Sequence, residues 1–210
     1  MLFITVAFLI FDRASYLNLA VSLLGATSLI FGAKGNPLGL ILGIIFSSIY
    51  CFISFSCAYY GEVITYAGMT MPMSVVSLIS WLKNPYNGNK AEVKINKIRK
   101  REVGFAAILS IFVTVVFYFV LKYFGTASLV PSTISIATSF LAVYLTFRRS
   151  PYYALAYALN DVVLIVLWVM ATVKDTAYVS VLACFAVFFA NDIYGFINWK
   201  RMQKNQERSK

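Results

Sequence analysis

Seven mainly apolar stretches of about 20 residues follow one another along the chain, at 15–33, 37–58, 61–82, 103–123, 131–147, 152–172 and 176–199. Short polar clusters separate them. Gly35-Asn36-Pro37 divides the first pair and Tyr60-Gly61 the second, and Asn84-Pro85-Tyr86-Asn87-Gly88-Asn89 opens a loop that runs to Arg101. Pro131 and Pro151 each stand at the first turn of a stretch, where a missing N–H does no harm. The β-branched richness of 103–123 would suggest a strand in water. In lipid every backbone N–H and C=O needs a partner within its own segment, so all seven are predicted to be helices. Met1–Phe11 is apolar but too short to cross and is read as an interfacial or partly inserted helix. Met69, Met71, Pro72 and Met73 predict a kink in the third span.

Composition strengthens this picture. The 210 residues are 60% hydrophobic and only 12% charged, too few charges to clothe a water-soluble surface. One transmembrane domain is expected over 1–210: a three-helix bundle at 15–83, a linking helix at 103–123 and a second bundle at 131–199. The net charge of +10 is a matter of topology, not of nucleic-acid binding. In the seven-span arrangement 15 of the 18 Lys and Arg fall on one side; Arg13, Lys122 and Lys174 fall on the other. The crowded side is predicted to be cytoplasmic, placing the N-terminus outside and the C-terminus inside a cell (inner) membrane. The loop 83–101 is read as a topology determinant, with anionic lipid as its other reading.

The two ends of the chain resemble each other. Lys34 with Pro37, and Arg148-Arg149 with Pro151, mark corresponding turns; Trp81-Leu82-Lys83 and Trp199-Lys200-Arg201 close corresponding third helices. From proline to tryptophan is 44 residues in one case and 48 in the other. Three helices per repeat is an odd number, so a single linking helix is needed to give both repeats the same orientation. The expected fold is all-α and integral to the membrane, seven helices in a 3+1+3 parallel repeat, one of the two plans used by transporters.

Candidate chemistry lies in two Asn-Asp pairs inside apolar stretches. Asn160-Asp161 falls near the middle of the sixth span and Asn191-Asp192 in the cytoplasmic half of the seventh. A mid-membrane aspartate costs about 2.5–3.5 kcal/mol to insert, so these groups should face the bundle interior. Asp161 and Trp168 share one helix face, as do Asn191, Tyr194 and Asn198; Asp192, Gly195 and Trp199 form the neighbouring stripe. Amide, carboxylate and aromatic ring together suit a flat hydrogen-bonding solute, above all a cationic ring. The competing reading is interhelical hydrogen bonding alone. Trp81 and Trp199 are expected to be interfacial anchors, and Glu62 to snorkel. The serines of the first repeat are read as close-packing residues.

The chain lacks histidine, and its three cysteines form no CxxC. No phosphate loop, nucleophile elbow or metal-ligand cluster is visible, so neither enzyme chemistry nor a cofactor or metal is expected. A membrane scaffold or sensor is the non-transport alternative.

Ala190-Asn191-Asp192-Ile193-Tyr194-Gly195-Phe196-Ile197-Asn198-Trp199-Lys200 resembles the closing signature of the PnuC-type vitamin transporters. Asn160-Asp161-Val162-Val163-Leu164-Ile165-Val166-Leu167-Trp168 resembles their penultimate helix. Tyr60-Gly61-Glu62-Val63 and Ser80-Trp81-Leu82-Lys83-Asn84-Pro85 are similar to the matching first-half segments. The resemblance implies a SWEET-like fold, uptake of nicotinamide riboside by facilitated diffusion, trapping by a cytoplasmic kinase, and a homotrimer. Asn160, Asp161, Asn191 and Asn198 are expected to hydrogen-bond the ribose or carboxamide, Trp168 and Tyr194 to stack on the ring, and Asp192 either to contact a cationic ring or to hold the helix packing. Thiamine, riboflavin or deoxynucleosides remain alternative substrates, and Asp161 and Asp192 leave proton coupling open.

Overall fold

The computed structural model describes residues 5–6, 16–56, 60–125, 129–173 and 179–209. Residues 5–6 are helical, and the rest of the predicted interfacial helix at 1–11 lies outside the described residues. The remaining helices are α1 (Tyr16–Ala33), α2 (Leu38–Ser56), α3 (Tyr60–Thr65), α4 (Met71–Leu82), α5 (Lys100–Tyr123), α6 (Leu129–Phe147), α7 (Tyr152–Thr172) and α8 (Val179–Arg208). A π-helical turn, Tyr66–Thr70, joins α3 to α4, so these two make one interrupted span. Pro72 has no N–H for the Gly68 carbonyl, and the chain responds by widening: the Met71 N–H bonds to Tyr66 C=O, five residues back. Val63–Leu82, α5, α6 and Leu182–Arg208 are long and apolar enough to cross a membrane, and Leu19–Ala33, Leu38–Phe52 and Tyr152–Leu167 are shorter apolar helices.

Helix pairing closes a ring. α1 packs on α2, α2 on α4, α4 on α6, α6 on α7, α7 on α8, and α8 back on α1. α5 packs against α6, to which it is tied by Arg148 and Glu102; the second contact of that ion pair, Nη2 to Oε2, measures 3.0 Å. Much of the other side of α5 is exposed apolar surface, including Ile108, Ile111, Phe112 and Phe119.

The α1–α2 and α6–α7 turns are built alike. Asn36 N–H reaches Phe31 C=O, and Ser150 N–H reaches Leu145 C=O, each at 3.0 Å. These are the six-to-one bonds of a helix stop with one left-handed residue. That residue is Gly35 (φ 69°) in the first turn and Arg149 (φ 55°) in the second. Asn36 Oδ1 and Ser150 Oγ then accept the N–H of Leu38 (2.9 Å) and Tyr152 (3.4 Å), starting α2 and α7.

Residues 83–101, read from sequence as loop, contain a β-hairpin: β1 (Pro85–Tyr86) pairs antiparallel with β2 (Asn89–Val93). Asn87 and Gly88 both have positive φ, the backbone of a tight two-residue hairpin turn. α8 also continues well past residue 199, to Arg208, carrying a polar tail beside the hairpin.

Candidate functional site

At the hairpin end of the ring, α4 is bonded to the end of α6 and α8 to the end of α1. The Trp81 indole N–H donates to Thr146 C=O at 2.9 Å, and the Ser80 hydroxyl to Phe147 C=O at 3.0 Å. In the same way, the Trp199 indole N–H donates to Gly32 C=O at 3.0 Å, and the Asn198 amide to Ala33 C=O at 2.9 Å. The carbonyls at a helix C-terminus have no partner within the helix, so α4 supplies donors to the end of α6 and α8 to the end of α1. The two indoles meet with centroids 5.2 Å apart, 1% and 0% exposed. The expectation of interfacial anchors at Trp81 and Trp199 is therefore corrected: both are core residues, because each N–H finds a buried carbonyl.

Above this floor a polar column rises between α7 and α8. On α7, Tyr153, Tyr157 and Asp161 recur every fourth residue and share a face. The Tyr153 ring meets Trp199 edge-on at 4.7 Å, and Tyr157 lies within hydrogen-bonding reach of Thr146. Asp161 and Asp192 are each 5% exposed and face one another within hydrogen-bonding reach. Asp161 Oδ2 is buried with no hydrogen-bond partner. A methyl at Gly195 would come 3.3 Å from the Ala33 Cβ and 3.5 Å from the Ala154 Cβ, so a bare glycine lets α8 approach α1 and α7 together.

Of the predicted site residues, Asp161, Asp192 and Asn191 gather here, with the Asn191 side chain in reach of Asp192. Asn160 is buried beside them and bound to α6: its Oδ1 accepts from the hydroxyls of Ser135 (2.9 Å), Thr138 (2.9 Å) and Ser139 (3.1 Å). Asn198 sits apart, engaged with Ala33. Tyr194 is 50% exposed and points away from the column. Trp168 lies on α7, seven residues beyond Asp161, but its side chain falls outside the described residues, as does that of Glu62.

Sequence reasoning missed an aromatic cluster on α2 and the π turn. Phe46 and Tyr50 stack at 5.7 Å, and Tyr66, on the π turn, meets Tyr50 at 4.6 Å. Pro37 and Pro151 stand 114 positions apart, and the same offset carries Phe46 to Asn160 and Ser47 to Asp161. That offset was available in the sequence and would have placed the cluster at the depth of the carboxyl pair. Among the described residues no group of three His, Cys, Asp or Glu side chains comes together as a metal site.

A buried polar column inside a ring of apolar helices defines a multi-pass membrane protein with a hydrophilic interior. Comparison with known proteins assigns the class. The chain belongs to the nicotinamide mononucleotide transporter family, whose model matches residues 15–201. It is 26% identical over 200 residues to the nicotinamide riboside transporter PnuC of Neisseria mucosa, covering 93% of this chain and 76% of that protein. It shares its fold with the crystal structure of the vitamin B3 transporter PnuC: TM-score 0.81 at 23% identity, over 98% of this chain and 90% of that one.

Proposed function

We propose that this chain carries nicotinamide riboside across the cytoplasmic membrane by facilitated diffusion. The single observation behind the choice is the buried Asp161–Asp192 pair. The riboside bears a cationic pyridinium ring, a carboxamide and sugar hydroxyls. Two acidic side chains favour the ring's charge, the Asn191 amide suits the polar edges, and Phe46, Tyr50 and Tyr66 offer faces for stacking. Trp168 joins the set through its register with Asp161. The mononucleotide adds a phosphate, and the described Lys and Arg lie in turns, in the hairpin and its strap, or in the outer turns of helices, none at the depth of the carboxyl pair. A phosphate there would meet carboxyl groups without a counter-charge. Asn160, Tyr194 and Asn198 take supporting roles in this reading.

The arrangement is taken to be 3+1+3 and SWEET-like. The ring of pairings and the matched turns support two bundles, 15–83 and 131–199, rocking about the substrate while α5 rides on the second. The basic hairpin end is assigned to the cytoplasm by its charge. Trapping by a cytoplasmic kinase and assembly as a homotrimer complete the proposal, the exposed apolar side of α5 being compatible with a protein neighbour.

A thermal-shift panel on purified protein tests the substrate. Nicotinamide riboside at 100 times its dissociation constant should stabilise by about 2.7 kcal/mol by mass action. Nicotinamide mononucleotide, thiamine, riboflavin and deoxynucleosides should do little. Proteoliposome uptake of labelled riboside should be indifferent to a pH gradient. A larger shift with the mononucleotide, or uptake that follows the gradient, would defeat the proposal.

A further inference from the structure

Residues Glu92–Lys97 leave the hairpin as a strap across the basic end of the ring. On one side the Val93 N–H donates to Gly35 C=O, in the α1–α2 turn, at 3.0 Å, and the Lys94 N–H to Asn84 C=O, just past α4 where the hairpin begins, at 2.8 Å. On the other side the Asn96 N–H donates to Arg149 C=O at 3.0 Å, in the matching turn of the second set. The strap thus joins the two equivalent turns, Gly35 and Arg149, through its own backbone.

One side chain holds it there. Gln206, on the polar tail of α8, is 6% exposed although it lies beyond the apolar part of its helix. Its Oε1 accepts the Ile95 N–H at 2.9 Å, and its Nε2 donates to Val93 C=O and to Glu92 Oε1, both at 3.0 Å. One amide therefore meets a backbone donor and a backbone acceptor of the strap, much as a neighbouring strand would. Lys97 and Glu207 add an exposed ion pair at 3.0 Å. Val93 is fully buried under this arrangement. A cavity of about 520 Å³ opens beside the strap and the tail, lined by Lys94, Asn96, Gln203 and Gln206 among others.

We propose that Gln206 is the positioning residue of a latch that keeps the cytoplasmic side of the carrier shut. This rests on the reading that the two sets of helices rock against one another. Opening the basic end must part Gly35 from Arg149, and a strap bonded to both turns resists that separation until it lets go. Gln206 touches no substrate. It acts through the backbone of Val93 and Ile95, and so sets the balance between the two access states.

The test uses the full chain with sided labelling by a membrane-impermeant maleimide. In one background Cys51, Cys57 and Cys184 become serine and Ser77→Cys reports from one turn inside Trp81. In the other only Cys184, in hydrogen-bonding reach of Ser22, is kept as the outer reporter. Removing buried hydrogen bonds of this kind shifts an equilibrium by about tenfold. Gln206→Ala should therefore raise Ser77→Cys labelling from the cytoplasmic side of inverted vesicles about tenfold. It should lower Cys184 labelling from the outside of spheroplasts. Simple loosening would raise both rates, and an inert Gln206 would change neither; either result overturns the latch. If Gln206→Ala does not fold, Gln206→Glu keeps the shape and the Ile95 bond, loses the two donated bonds, and is held to the same reciprocal pattern. The labelling needs no substrate. A failed latch therefore leaves the transport reading intact, and absent riboside uptake with reciprocal labelling counts against the substrate alone.

Discussion

The crossed tryptophan contacts make a quantitative prediction. Trp81→Phe and Trp199→Phe each keep an aromatic ring but delete the indole N–H, at 2.9 Å and 3.0 Å from its acceptor. Neither carbonyl becomes an orphan, because Thr146 C=O still accepts the Arg149 N–H and Gly32 C=O still accepts the Gly35 N–H, both at 2.9 Å. Each loss should therefore sit near the value for one buried hydrogen bond plus some lost packing, about 1–2 kcal/mol. For a chain of this size that corresponds to a fall in thermal midpoint of about 2–4 °C per kcal/mol. The rings touch, so the double variant should depart from additivity by about 0.5 kcal/mol or more. Thermal unfolding of the four proteins in one detergent, followed by intrinsic fluorescence and circular dichroism, measures both quantities. The reasoning is refuted if one substitution is costly and the other costs nothing, or if the two effects add without remainder.

Three further outcomes are expected. Arg149→Gly should raise the thermal midpoint by the equivalent of about 1 kcal/mol, because it relieves a left-handed φ of 55° and removes Nε and Nη1 donors that are buried without partners; an unchanged or lower midpoint contradicts this. Gly195→Val should weaken the α1–α8 contact by about 1–3 kcal/mol through overpacking against Ala33 and Ala154, read as a lowered midpoint, whereas Gly104→Ala on α5, where an added methyl meets nothing within 4 Å, should cost nothing of this kind. Asn160→Leu should lower stability by about 1–3 kcal/mol, since three hydroxyls lose a common acceptor, while leaving the dissociation constant for riboside within about threefold; a collapse of affinity with unchanged stability would make Asn160 a direct substrate contact.

Element placement was largely legible, because lipid enforces helices of limited length and prolines mark their starts. The duplicated turn was visible as Lys34 with Pro37 and Arg148-Arg149 with Pro151. What the letters did not reveal was the equivalence of Gly35 and Arg149, since an arginine does not advertise a left-handed backbone. Asn87-Gly88 did carry a hairpin signal, but the polar residues around it have no alternation to mark a strand, and Val93 is buried by partners distant in sequence. The tryptophans were misplaced for a related reason. Their acceptors are main-chain carbonyls, and a carbonyl looks the same at every position of a sequence. Asp161 and Asp192 could be read because a carboxyl inside an apolar run is costly to bury and so marks a polar interior. The hydroxyls that hold Asn160 gave no such signal, because serine and threonine are common in packed helices and nothing in their spacing points to α7.

The reciprocity at the hairpin end has a consequence for how such a chain can be divided. On the two-bundle reading each trio borrows donors from the other at the end of its leading helix: Ala33 and Phe147 accept from Asn198 and Ser80, and Gly32 and Thr146, already bonded within their own turns, take a second donor from Trp199 and Trp81. A lone trio would expose both the donors and the acceptors of this exchange. Two identical trios would satisfy one another. The geometry is therefore one that a half-length polypeptide could adopt as a symmetric dimer, and cutting the present chain within α5 should yield fragments that are stable only when made together.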